Sequence, residues 1–106
     1  MVISGGVNIY PAEIEGEILK MQRVADCAVF GIPDADFGEA LCAVVQPQTG
    51  ASVSADDVKN FLREHVVLYK VPKIVEFRTE LPREDSGKIF KRKLRDPFWE
   101  GVGRKI

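Results

Sequence analysis

Apolar positions recur along this chain in two rhythms, and the rhythm switches where one element gives way to the next. Between Pro11 and Met21, Ile14, Ile18 and Met21 fall at i, i+4 and i+7, one face of a helix that Gly16 weakens. Val24 to Ile32 is rich in Val, Ala, Phe and Ile and predicts a buried strand ending at Pro33. Asp34 to Gly38 reads as a loop, Ala40 to Gln46 as a second strand stopped by Pro47, and Gln48 to Ser52 as a turn. Ser54 with Asp57 three residues on is a capping pattern ahead of Val58, Phe61 and Leu62, so a second helix is predicted over Ala55 to His65. Tyr69-Lys70-Val71-Pro72 ends it, because the residue before a proline disfavours helical angles. Ile74 to Arg78 is a third strand, Leu81 to Gly87 a loop, and Lys91 to Arg95 the start of a short terminal helix. Helices and strands are mixed without strict alternation, which predicts an α+β class: a small sheet with helices packed on it.

Composition narrows the function classes. A chain of 106 residues makes one domain with a modest core, and 45% hydrophobic with 29% charged residues is the balance of a globular protein. The net charge of −1 gives no global attraction to nucleic acid or anionic lipid. No apolar run approaches the ~20 residues of a membrane span. Nor does the chain open with a signal peptide, and a cytoplasmic location is the default expectation. Cys27 and Cys42 lack C-x-x-C spacing and read as buried thiols in a reducing compartment, with a single disulfide as the alternative. There is no repeat, linker, metal-ligand cluster, catalytic triad or phosphate-cradling loop.

Two blocks carry candidate chemistry. Pro82 to Lys88 reads P-R-E-D-S-G-K and runs into Lys91, Arg92, Lys93 and Arg95. A lysine on a short loop bounded by Pro and Gly is a mobile point charge, suited to phosphate or carboxylate chemistry. Alone, such a loop is also read as a solvated turn before a basic helix. Glu84 and Asp85 read as turn residues that also mask Lys88. Ser4 to Glu15 reads S-G-G-V-N-I-Y-P-A-E-I-E. Gly5 and Gly6 permit positive φ or close backbone approach, and Pro11, Glu13 and Glu15 start a helix well, so a glycine turn feeding that helix is the plain reading. His65, the only histidine, belongs to a helix end or surface rather than to acid–base or metal work. Asp34, Asp36 and Glu39 read as a solvated acidic loop. Phe98 and Trp99 read as packing residues of the tail. The basic cluster admits a nucleic-acid-binding module as a distant alternative, but the aromatics are not interleaved with it.

Taken together, the two blocks resemble the last two motifs of the adenylate-forming superfamily, which includes acyl-CoA synthetases, luciferases and peptide-synthetase adenylation domains. The resemblance runs from Met1 to about Arg95. It implies a small, mainly antiparallel sheet with two to three packed helices, as in the C-terminal lid domain of acyl-CoA synthetases. Residues 1–106 would be that single domain, excised from a larger ligase whose N-terminal domain and hinge residue precede Met1. The implied reaction joins a fatty or aryl acid to CoA at the expense of ATP, releasing AMP and pyrophosphate. A carrier-protein-loading enzyme is the alternative. Lys88 matches the family's adenylation lysine, beside Gly87. Ser4, Gly5 and Gly6 match the loop that lines the pantetheine channel once the domain swings into its thioester-forming pose. ATP with Mg, the acid and CoA are implied for the whole enzyme, with the metal held by the N-terminal domain, and no cofactor is expected to bind this fragment tightly. The P-x-x-x-x-G-K setting of Lys88 further implies a lysine acetyltransferase and deacetylase as partners.

Overall fold

In the computed structural model, which describes residues 2–4, 6–35, 38–66 and 70–100, the chain opens with two three-residue strands, β1 (Val2–Ser4) and β2 (Val7–Ile9). They pair antiparallel with Ser4 opposite Val7, so Gly6, in the predicted turn, sits at the tip of a β-hairpin, with Gly5 outside the described residues. The first helix, α1 (Pro11–Ile18), starts with Pro11 in its first turn, where a missing N–H costs nothing. It stops three residues short of the predicted end. Lys20 and Met21 donate their N–H groups to residues three back, at 3.1 and 3.0 Å, and this tighter turn carries Met21 into the core.

The long strands β3 (Val24–Asp34) and β4 (Gly38–Pro47) pair antiparallel. β3 runs one residue past Pro33, whereas β4 ends on Pro47, where the proline stop is expected. Pro33 is tolerated because β3 is an edge strand, and Pro47 because it is the last residue of β4. Much of the stretch read as a loop, Asp34 to Gly38, is therefore strand end and hairpin turn, with Asp36 outside the described residues. Helix α2 (Ala55–His65) occupies the predicted residues. Ser54 Oγ accepts from the Asp57 N–H and Asp57 Oδ2 accepts from the Ser54 N–H, both at 3.0 Å. That helix carries the chain across to β5 (Ile74–Phe77), which joins β4 in parallel, one residue shorter than predicted. The sheet order is β3-β4-β5, and the last helix, α3 (Lys91–Trp99), extends beyond its predicted start.

Alternation along β3 and β4 builds two cores on one sheet. Cys27, Val29, Leu41, Ala43 and Val45 point to one side, where β1, β2, α1 and α2 cover them through Val2, Ile9, Ile14, Ile18, Val58 and Leu62. Ala28, Phe30, Ile32, Ala40, Cys42 and Val44 point to the other, covered by Leu81 and Leu94 with Ile89 and Phe98 packed against them. Full burial of a Leu or Ile side chain contributes about 1.5–3 kcal/mol, so each face is secured by several such anchors. Cys27 and Cys42 lie in different cores on opposite faces and are both free thiols, which removes the disulfide alternative.

Candidate functional site

The loop carrying Lys88 is a tightly bonded turn. Arg83 and Ile89 form an antiparallel bridge, and the Phe90 N–H donates to the Pro82 carbonyl at 2.8 Å. Inside it, the Glu84 N–H donates to the Lys88 carbonyl and the Gly87 N–H to the Glu84 carbonyl, both at 2.8 Å. Gly87 closes the turn at φ +89°, a left-handed conformation that disfavours any residue with a Cβ. Leu81 before the loop and Leu94 after it are 2% and 3% exposed, so both ends are nailed to the second core.

Lys88 itself is exposed and makes no ion pair among the described residues. The masking expected from Glu84 and Asp85 is therefore absent. Glu84 meets Lys88 through its backbone N–H, and no carboxylate of the described residues pairs with the Nζ. A cleft of about 380 Å³ opens between β1, β3 and α3, lined by Val2, Gly31, Glu39, Arg95 and Trp99 among others, and Lys88 is not part of it. The lysine projects from the surface of the loop.

Two residues that sequence reasoning passed over shape this loop. Arg83 Nη1 donates to the Gly87 carbonyl at 3.0 Å, and Arg83 Nη2 is paired with Asp26 Oδ2 on β3. Asp26 lies 57 residues upstream of Arg83, a separation at which no local pattern signals contact.

The glycine block lies on the other side of the sheet. Val2 and Ile9 anchor the β1–β2 hairpin in the first core, and Gly6 sits at its tip with φ +82° and no heavy atom within 4 Å of where a Cβ would be. Ser4 is the last residue of β1, while Gly5 lies outside the described residues. Glu39 Oε1 accepts from the Ile3 N–H at 3.2 Å and ties the hairpin to β4. The glycine and lysine loops are thus seated on opposite cores of one sheet.

The basic run is partly spent on structure. Lys91 Nζ lies 2.7 Å from Glu15 Oε2, the same oxygen that accepts from the Val29 N–H at 2.8 Å, so one carboxylate joins α1, β3 and α3. Lys93 lies over the Phe90 ring at 5.4 Å. Trp99 Nε1 donates to the Gly31 carbonyl at 2.9 Å, and Phe98 packs against Phe30 at 6.1 Å, as packing residues should. His65 stacks on Phe61 at 4.2 Å and its Nδ1 meets the Phe61 carbonyl at 2.7 Å, at the end of its helix. Burial, then the charges of Glu15 and Asp26, push the Cys27 thiol up to about 12; burial, then Glu76, does the same to Cys42. Neither thiol is a nucleophile near neutrality. Among the described residues no three metal-ligating side chains cluster, and no helix is long and apolar enough to cross a membrane.

Comparison with known proteins bears on the chain as a whole. The chain is 48% identical over 98 residues to feruloyl-CoA synthase of Amycolatopsis sp, covering 92% of this chain and 20% of that protein. It is 39% identical over 105 residues to the fatty acid–[acyl-carrier-protein] ligase ScoC of Streptomyces coeruleorubidus, covering 99% of this chain and 20% of ScoC. The crystal structure of apo MatB from Rhodopseudomonas palustris superposes with a TM-score of 0.87 at 42% identity, over 95% of this chain and 20% of MatB. The chain thus spans about one-fifth of the length of the relatives it matches. Residues 13–88 match the profile of the AMP-binding enzyme C-terminal domain, and the chain belongs to that family.

Proposed function

We propose that residues 1–106 are the moving C-terminal domain of an ATP-dependent acid–thiol ligase, lacking the larger N-terminal domain that holds ATP with its Mg, and the acid. The observation that carries this reading is Lys88: an exposed ammonium on a braced turn, without an ion pair among the described residues, in a chain of this family. In the adenylating pose Lys88 reaches the carboxylate and the α-phosphate. It orients the nucleophile and offsets the charge that grows as the acid's oxygen bonds to phosphorus and pyrophosphate departs. In the thioester-forming pose the domain presents its other face. The Ser4-Gly5-Gly6 backbone then lines the channel for a pantetheine thiol, which attacks the acyl carbon and expels AMP. Seating on opposite cores suits two loops that act in alternation.

CoA is the proposed acceptor, in line with feruloyl-CoA synthase, and an aryl or fatty acid the proposed substrate class. A carrier-protein pantetheine is the second reading, favoured by similarity to ScoC through nearly the whole chain. The cytoplasm is the proposed compartment. Exposure of Lys88 also suits reversible acetylation, which would remove the charge that adenylation needs.

The test separates the half-reactions in the full-length protein that carries this chain. Lys88→Ala should lower acid-dependent ATP–pyrophosphate exchange by on the order of 10²–10³ and largely spare thioester formation from supplied acyl-adenylate. Gly6→Leu should do the reverse by filling the channel. Equal losses of both half-reactions in both variants would overturn the assignment.

A further inference from the structure

We propose that Arg83 is a positioning residue for Lys88, acting as a brace between β3 and the carbonyl of Gly87, an inference that rests on the adenylation role given to Lys88 above. The brace starts in the sheet. Pairing of β3 with β4 slips between Val24 and Asp26, so that β3 carries one extra residue there, and such irregularities re-aim the side chain that follows. Asp26 Oδ1 accepts from the Cys27 N–H at 2.9 Å, which fixes the carboxylate to the strand. Its Oδ2 receives Arg83 Nη2, and the other arm of the same guanidinium, Nη1, donates to the Gly87 carbonyl at 3.0 Å.

That carbonyl is a sensitive place to hold. It belongs to the planar peptide unit whose nitrogen is that of Lys88, so its direction sets how the Lys88 side chain leaves the loop. The neighbouring groups in the turn have backbone partners: the Gly87 N–H bonds to Glu84 and the Lys88 carbonyl accepts from Glu84. The hydrogen bond recorded for the Gly87 carbonyl comes from Arg83. Gly87, at φ +89°, is also the residue most able to let that peptide turn over. A planar, forked guanidinium can hold a carboxylate and a carbonyl at once, which an ammonium on the same stem does less well. Arg83 is 44% exposed, so its pair with Asp26 adds little to the stability of the fold. Its loss should show in the aim of Lys88 more than in the melting temperature.

The experiment uses the full-length protein that carries this chain, with Arg83→Met, Asp26→Asn, Lys88→Ala and the double variant Arg83→Met/Lys88→Ala. Exchange of pyrophosphate into ATP is followed with ferulate and straight-chain fatty acids as probes, alongside thioester formation from supplied acyl-adenylate. Arg83→Met should lower kcat for exchange by about 10–10²-fold with KM for ATP nearly unchanged, and leave the thioester step intact. Asp26→Asn should give a smaller loss in the same direction. In the Lys88→Ala background, Arg83→Met should cost nothing further, because it acts through the lysine. A raised KM for ATP, or losses that add in the double variant, would mean that Arg83 touches substrate itself and would overturn the brace. If Lys88→Ala lowers exchange and Arg83→Met does not, the brace fails and the adenylation reading stands. If Lys88→Ala leaves exchange unchanged, the reading fails and the inference falls with it. Hydrogen exchange of the segment 84–90 supplies a readout independent of the acid. Arg83→Met should raise it about tenfold with the melting temperature held, and unchanged exchange would overturn the brace.

Discussion

Two glycines in this chain predict opposite outcomes from the same substitution. At both Gly16 and Gly87 no heavy atom beyond the local backbone lies within 4 Å of the position a Cβ would take, so clash with the surrounding structure contributes nothing at either. Gly16 is an exposed position inside α1 with helical geometry, and Gly16→Ala there should stabilise by about 0.5–1 kcal/mol through the lower entropy of the unfolded chain. Gly87 holds φ +89°, and Gly87→Ala should destabilise by about 1–2 kcal/mol from the Cβ–carbonyl conflict alone. The two variants should therefore differ by roughly 1.5–3 kcal/mol, on the order of 1 M in urea midpoint for a domain of this size. Equilibrium urea unfolding of the 106-residue chain followed by Trp99 fluorescence measures it, since that indole is tied to β3. Gly87→Asn should fall between wild type and Gly87→Ala, because Asn tolerates the left-handed region. Equal midpoints for Gly16→Ala and Gly87→Ala would refute the reasoning, since only the backbone angle distinguishes the two sites.

Three further outcomes follow from the packing and the titrating groups. A Cβ at Gly31 would come within 2.6 Å of Glu39 Oε2, which can swing aside, and 3.1 Å of the Val2 side chain, which must give way, so Gly31→Ala should cost about 1 kcal/mol in urea unfolding by loosening the hairpin, and an unaltered midpoint would count against that close approach. The Ser54 N–H, then the Ser54 hydroxyl and Arg23, hold the Asp57 carboxyl below its ordinary 3.8. Its contribution is therefore present above that value and fades as pH falls through the lower folded value, and thermal melts from pH 7 to pH 2 should show a slope that Asp57→Asn flattens. Cys27 and Cys42, pushed up to about 12 from 9.0, should resist a disulfide-exchange reagent at pH 8 until urea unfolds the chain. Their burial also predicts stability that is whole below pH 9 and declines toward pH 12, and rapid native labelling would contradict both statements.

How much of this was legible depended on whether the signal was local. The second helix could be read to its last residue, because a capping box and a 3.6-residue period both act within a few positions. The strand centres were legible from their apolar content, their ends only in part. Pro47 does end its strand, whereas Pro33 looks like a stop in sequence and only the sheet order reveals that an edge strand accepts it. The β1–β2 hairpin was missed because three residues per strand are too few to display a period of two. The turn that carries Lys88 was legible because its Pro and Gly punctuation is contiguous, while the Asp26–Arg83 pair and the Glu15–Lys91 tie join residues far apart in the chain.

The period of two along β3 and β4 also explains how one small domain keeps the glycine and lysine loops apart. Because successive residues face opposite sides, Val29 and Phe30 anchor different cores although they are adjacent, and each core recruits a different loop. A slip of one residue in the β3–β4 register would exchange the two faces, sending Phe30 and Ile32 toward the hairpin and Cys27 and Val29 toward α3. The faces resist such exchange because their volumes differ: the α3 side alternates Ala28 and Ala40 with Phe30 and Ile32, a pattern that the hairpin side, lined by Val29, Leu41 and Val45, does not fit. Side-chain size on two strands thus fixes which loop faces which way, and under the proposed function that assignment separates the two half-reactions.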